Sequence, residues 1–204
     1  ECGGTNTDCL ADGETCISND QCETDSCDAC GECGGTNTDC LADDQACTAN
    51  DQCEADNCND CGVCGVNDPF EPLCPDGSPK EFQFNQSTLQ GIYFFTNVII
   101  NGDPVASEDW VGAFTPFGVC VGARQWDTSQ CGGGTCDVVV MGNDGSEYTT
   151  GYASTGDEIT FIIYDHSEGS YIGNVTPSED IPWSINSFEV IDSLMGCSED
   201  DAVV

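Results

Sequence analysis

Six cysteines recur with identical spacing in two consecutive stretches of 31 residues. Cys2, Cys9, Cys16, Cys22, Cys27 and Cys30 superimpose on Cys33, Cys40, Cys47, Cys53, Cys58 and Cys61. The opening ECGGTNTDCLAD returns letter for letter at Glu32, and a third copy begins near Val63 and stops after Cys64-Gly65. Self-similarity at a fixed period marks one supersecondary unit in tandem. Residues 1–62 hold 16 acids, no basic residue and no aromatic, and their only large aliphatics are Leu10, Ile17 and Leu41. Such a stretch cannot bury enough apolar surface to offset its chain entropy. Disulfides must take that role, three per repeat being expected. Six cysteines allow 15 pairings, and spacing alone does not choose among them. Cysteines every third residue around Cys27, Cys30 and Cys33 predict a stiff junction.

The pattern divides the chain into a first repeat (1–31), a second repeat (32–62), a Pro-rich linker with a truncated repeat start (63–80) and a remainder (81–204). Eighteen cysteines, an even and dense count, point to an oxidising, extracellular or cell-surface habitat. Zinc sites built of spaced CxxC pairs are the competing reading, and the spacing does not fit them. The chain reads as a mature extracellular polypeptide or a piece of a longer one.

The 38 acids face only Lys80 and Arg124, a net charge of −36. Without a basic footprint there is nothing to neutralise phosphates, so nucleic acid is excluded as a partner. Anionic membrane surfaces are disfavoured for the same reason, and no apolar run is long enough to span a bilayer as a helix.

From residue 81 the composition changes. All 17 aromatics lie at Phe70 or beyond, which places the one substantial core there. EFQF, GIYFFTNVII, DWVGAF, FGVCVGARQW, CDVVVMG, GSEYTTGYAS, DEITFIIYD, SYIGNV and NSFEVIDSL read as short strands, punctuated by the turn signals NGDP, TPFG, GNDGS and STGD. The expectation is an all-β domain, a jelly-roll or immunoglobulin-like β-sandwich, behind a disulfide-rich arm of little regular structure. ITFIIY places Phe161 and Ile163 on one face, and its other face is apolar enough to be covered too. IYFFTNVII carries no charge over nine residues, an aggregation hazard at an open edge, so this strand should be central or covered.

The motifs EDWVGAF, GVCVGARQWD, MGNDGSEYTTGY and GDEITFIIYD, in that order over about residues 81–192, resemble a module of large secreted, cell-surface and filament-type proteins of environmental bacteria. That module is carried beside cysteine-rich segments such as CGVCG. The resemblance implies a β-sandwich and a structural or surface role, and it attaches no activity to particular residues.

No constellation selects an enzyme. His166, the single histidine, sits in a predicted loop without a nucleophile, and no motif picks a catalytic pair out of the acids. No cofactor is expected beyond Ca2+, for which the turn oxygens of Asn143, Asp144 and Glu147 are the candidates, solvated turn acids being the default. Asn85 and Asn174 head N-x-Ser/Thr sequons and are candidate glycan sites. Arg124, isolated among acids, is expected in a buried ion pair with Asp109 or Asp127. Trp110, Trp126, Trp183, Tyr148, Tyr152 and Tyr171 are the aromatics available to a sugar, with Trp110 and Trp126 favoured as core and Trp183 as exposed or at an interface. QCGGGTC predicts a tight Cys131–Cys136 bridge, and Cys64–Cys74 and Cys120–Cys197 are assigned to the remaining four. These features favour a structural subunit of an extracellular filament, a homopolymer joined head-to-tail through its linker or arm. A carbohydrate-binding or adhesion module with glycans as partners is the alternative.

Overall fold

The computed structural model describes residues 72–198 throughout. From the first 71 it describes Leu10, Ala11, Glu14, Cys16, residues 21–23, Cys27, Cys33, Gly34, Cys47, Cys53, Cys58, Asn59 and residues 61–65. The chain divides into two units, Glu1–Glu71 and Pro72–Val204.

In the first unit the disulfides form an interlocked pattern. Cys16 bonds Cys27 and Cys22 bonds Cys33; one period later Cys47 bonds Cys58 and Cys53 bonds Cys64. Each of these four bridges closes 11 residues, and in each pair the second bond starts inside the loop of the first. The sulfurs make their own small core: Cys16, Cys22 and Cys33 are buried together with Leu10 against them, and Cys47, Cys53 and Cys64 repeat the cluster. Three sulfurs in each cluster lie within 4.8 Å of one another, but as members of two disulfides they are not available to a metal.

This pairing explains the truncated third repeat. Cys22–Cys33 and Cys53–Cys64 both cross the boundaries placed at 31/32 and 62/63. Each knot therefore borrows the first cysteine of the next copy, and the stub at 63–65 supplies Cys64, without which Cys53 has no partner. The expected Cys64–Cys74 bridge is accordingly wrong; Cys61 and Cys74 are each disulfide-bonded, Cys64 to Cys53. Cys2, Cys9, Cys30 and Cys40 lie outside the described residues, as does the count of three bridges per repeat.

The second unit is a two-sheet β-sandwich. Its strands are β1 (Gln90–Ile100), β2 (Asp103–Pro104), β3 (Trp110–Phe114), β4 (Cys120–Gln125), β5 (Cys136–Met141), β6 (Thr160–Asp165), β7 (Ser170–Ile172), β8 (Val175–Pro177) and β9 (Phe188–Gly196). The first sheet runs β2-β1-β9-β8, with β5 also paired to β1; the second runs β4-β3-β6-β7. The uncharged strand β1 is central, held by β2 and β5 on one edge and β9 on the other, as its aggregation hazard requires. Its pairing with β9 is parallel, whereas all other strand pairs are antiparallel.

Alternation in the strands builds the core. Tyr93, Phe95, Val138, Val140 and Ile191 from the first sheet meet Val111, Ala113, Val121, Phe161 and Ile163 from the second. Phe161 is the pivot, with its ring edge-on to Phe95 at 5.0 Å and to Tyr93 at 5.7 Å. Gly122 lets the sheets approach at their β4/β5 border: a Cβ there would sit 2.2 Å from the Val139 carbonyl oxygen.

Two of the expected strands are absent. EFQF forms a 3-10 turn at Lys80–Phe82 followed by extended, unpaired chain. GSEYTTGYAS forms a 3-10 turn at Glu147–Thr149, because the Asp144, Ser146 and Thr149 side chains occupy the local backbone and hydroxyl groups in place of a ladder.

The expected linker also proves to be two things. Residues 72–84 belong to the sandwich as a strap over the outer face of the second sheet. Leu73, Phe82 and Phe84 cover Trp110, Phe114, Ile162 and Tyr164. Gly112 makes room for the strap, since a Cβ there would meet the Phe82 ring at 2.8 Å. Tyr171 donates its hydroxyl to the Pro72 carbonyl and packs edge-on to Phe82 at 5.6 Å. Both faces of β6 are thus covered, as its composition predicts.

Candidate functional site

Most of the sequence-derived candidates turn out to support the fold. Trp183 is the clearest correction: it is 1% exposed, and its indole N–H donates to the Val140 carbonyl at 3.2 Å. It fills the space left by Gly91 and Gly142, where a Cβ would collide with it at 2.8 and 2.3 Å. Proximity of Pro182 and a polar flank suggested exposure, but two distant glycines created the slot. Trp126 is buried as expected, and Trp110 is half-buried against the strap. Tyr152 is buried too, its hydroxyl accepting the Asn85 backbone N–H at 2.6 Å. Tyr148 and Tyr171 remain exposed.

Asp144 is a turn anchor. One carboxylate oxygen accepts the Thr88 N–H and hydroxyl, and the other accepts the Ser146 N–H and the Thr149 hydroxyl. The hydroxyl of Thr149, with the Thr88 and Ser146 amides, holds this carboxyl well below the usual carboxylate range. Asn143 Oδ1 accepts the Gly145 N–H, and Glu147 points to solvent in the 3-10 turn. Among the described residues, no three or more acids or histidines cluster tightly enough to hold a metal together.

Arg124 does not pair with Asp109 or Asp127. It bridges to Asp137 on β5, and the two side chains keep 32% and 23% of their exposure. β4 and β5 lie near each other where the sheets meet, and Asp137 is within reach across that border. Asp109 instead uses its buried carboxylate to accept the Ala106 and His166 backbone N–H groups at 2.7 and 2.9 Å, tying two loops together. His166 itself lies exposed on the turn after β6.

Cys131–Cys136 forms as expected. Cys120–Cys197 does not: both are free thiols. Cys120 is buried in the outer cluster beneath the strap, where burial pushes its thiol up to about 11, while Cys197 is exposed beyond β9 in the opposite sheet. Of the sequons, Asn174 is exposed between β7 and β8. Asn85 is exposed, but its partner Ser87 is buried and donates to the Gly142 carbonyl at 2.6 Å.

The concave features range from a water-sized cavity to a pocket of about 400 Å³ lined by Tyr171, Ile172, Gly173, Asn174, Cys197 and Ser198. A cavity of about 20 Å³ beside Tyr93, Glu158, Glu179 and Asp180 has room for a water rather than a sugar ring. A shallow groove lined by Phe84, Gln90, Arg124, Asp137, Val139 and Met141 runs along the β4/β5 border.

The more telling feature is flat. On the outer face of the first sheet, the register puts Val139, Ile92 and Phe188 in one row across β5, β1 and β9, and Asp137, Phe94 and Val190 in the next. Phe188 is 69% and Val190 66% exposed. The equivalent face of the second sheet lies beneath the strap. Phe188 and Val190 thus stand exposed beside the part-buried Ile92, Phe94 and Val139, and exposed apolar patches can mark interaction sites in soluble proteins.

No protein-family model, no curated protein and no solved structure matches this chain.

Proposed function

We propose that this protein is a structural subunit of an extracellular or cell-surface filament, in which the arm or linker of one copy docks on the sandwich of the next. The observation that carries this reading is the division of labour in the chain. A tandem array of interlocked disulfide knots, suited to reach and durability, is joined to a single β-sandwich on which Phe188 and Val190 stand exposed among the described residues. The disulfides themselves require an oxidising environment, in keeping with an extracellular location. The resemblance of EDWVGAF through GDEITFIIYD to surface and filament-type modules points the same way. The alternative, a carbohydrate-binding or adhesion module, is weakened because Trp126 and Trp183 lie in the core and Trp110 against the strap.

Electron microscopy and sedimentation of the intact chain, with and without calcium, test the proposal. Regular fibres that disappear when residues 1–71 are deleted are the expected result. Residues 72–80 must stay, because they cover the second sheet. A strictly monomeric intact chain at high concentration rejects the filament reading and favours the binding module.

A further inference from the structure

We infer that Asn85 carries an N-linked glycan whose first sugar lies on the ring of Tyr148. The inference rests on the oxidising, extracellular setting and is independent of the filament reading.

Two sequons compete for the modification. The acceptor amide is recognised together with the hydroxyl two residues on, which requires a bent chain. In Asn174-Val175-Thr176 that hydroxyl belongs to a residue confined to extended backbone by Pro177, and Val175–Pro177 form β8. No proline follows Asn85-Gln86-Ser87. In the folded chain Ser87 is 7% exposed, and its hydroxyl donates to the Gly142 carbonyl at 2.6 Å and accepts the Leu89 N–H at 3.0 Å. Folding therefore closes this sequon, so the sugar is transferred before the sandwich forms. Asn85 itself ends exposed, and the fold has room for what it carries.

The folded chain then holds the acceptor amide beside an aromatic residue with no other task. Asn85 Nδ2 donates to the Tyr148 carbonyl at 3.3 Å, and the Asn85 backbone N–H donates to the Tyr152 hydroxyl at 2.6 Å. Asp144 ties the two segments together, accepting the Thr88 N–H and hydroxyl from one and the Thr149 hydroxyl from the other. Tyr148 sits in the 3-10 turn Glu147–Thr149 and is 65% exposed. Among the described residues its hydroxyl makes no hydrogen bond and its ring packs against no other ring. Its backbone is fixed while its side chain is bare. An aromatic face is electron-rich and the C–H groups of a sugar are weakly positive, so the two stack.

The donor is an oligosaccharide carried on a lipid diphosphate. Asn85 Nδ2 attacks the anomeric carbon of its first sugar, and the bond from that carbon to the diphosphate oxygen breaks. The lipid diphosphate leaves with the electron pair, and Nδ2 gives up one of its two protons to a base. The other hydrogen stays on the nitrogen, so the bond to the Tyr148 carbonyl survives the modification and keeps the sugar next to the ring.

The two basic residues of the chain make the site easy to test. Trypsin can cut only after Lys80 and Arg124, so Asn85 falls in fragment 81–124 and Asn174 in fragment 125–204. The protein from its natural source is reduced, treated with peptide N-glycosidase in heavy-oxygen water and digested. Mass spectrometry should find Asn85 converted to labelled aspartate in fragment 81–124. An unmodified Asn85 overturns the inference, whatever Asn174 carries. The contact is tested by comparing the glycosylated full-length chain with Tyr148→Ser made in the same host. Nuclear magnetic resonance should show protons of the first sugar shifted upfield by the tyrosine ring current, and back at ordinary positions in the variant, with occupancy of Asn85 unchanged. Sugar protons at the same positions in both chains overturn the placement on Tyr148.

Discussion

The arm and the sandwich solve the same problem with opposite means. The arm has almost no apolar side chains, so its described core consists of the disulfides themselves, interlocked over loops of 11 residues with Leu10 as the principal aliphatic contributor. The sandwich carries the Cys131–Cys136 bridge and a disulfide-bonded Cys74 in its strap, and leaves Cys120 and Cys197 reduced. Its stability comes from a continuous hydrophobic layer between two sheets and a second layer beneath the strap. Cross-links substitute for burial where composition forbids burial, and burial makes cross-links dispensable where aromatics are plentiful.

Mild reduction should break this symmetry most sharply. Each disulfide of this kind contributes about 2–4 kcal/mol, and the arm has little else, so limited proteolysis of the reduced protein should degrade residues 1–71 completely. Fluorescence and near-ultraviolet dichroism from Trp126 and Trp183 should persist under the same conditions. Simultaneous loss of both would show that the sandwich also depends on its cross-links.

Within the sandwich the strap should matter next. Phe82→Ala removes a ring that is 2% exposed and touches Phe114 and Tyr171, at a cost of about 3–5 kcal/mol in a denaturant melt. Gly122→Ala should follow at roughly 1–3 kcal/mol, toward the upper end because the obstacle is the Val139 backbone rather than a side chain that can swing away. Gly132→Ala, with nothing near the new methyl group, should change stability by less than about 0.5 kcal/mol. Arg124→Met should cost no more than about 1 kcal/mol, since the ion pair with Asp137 is only partly shielded from solvent. A loss several times larger would show that the pair is desolvated.

The smallest effect concerns pH. The Asp144 carboxyl is held below its unfolded value by the Thr149 hydroxyl and the Thr88 and Ser146 amides. A depressed carboxyl stabilises the fold fully above the unfolded value, near pH 4, and that contribution is lost as pH falls toward the folded one. Asp144→Asn should therefore flatten the acid limb of the stability curve of the sandwich and leave its neutral limb nearly parallel to the original.

How much of this was legible beforehand depended on whether the signal was local. Alternation in DWVGAF, CDVVVMG and ITFIIY places β3, β5 and β6 correctly, and the uncharged run in GIYFFTNVII correctly demands a central strand. QCGGGTC announces its own bridge because both cysteines belong to one turn. The exposed apolar patch of the first sheet was missed: Phe188 and Val190 resemble ordinary strand residues until their strand partners are known. Trp183 was misplaced because the glycines that make its slot are about 40 and 90 residues away in the chain. Arg124 was assigned to neighbours in sequence, whereas its partner arrives on the strand that crosses from the other sheet.

What the amino-acid sequence determined by itself was the division into a cross-linked arm and an all-β domain, because composition decides whether burial can offset chain entropy at all. The periodic cysteines also determined that both knots would be alike, since identical spacing admits identical loops. Tertiary structure alone decided that each knot closes on the next copy's first cysteine, that β1 and β9 lie parallel, and that residues 72–84 form a strap rather than a linker. It also decided which sheet face the strap covers. Pairing partners, sheet borders and outer faces depend on which distant segments arrive side by side, and no local pattern of residues encodes that arrival.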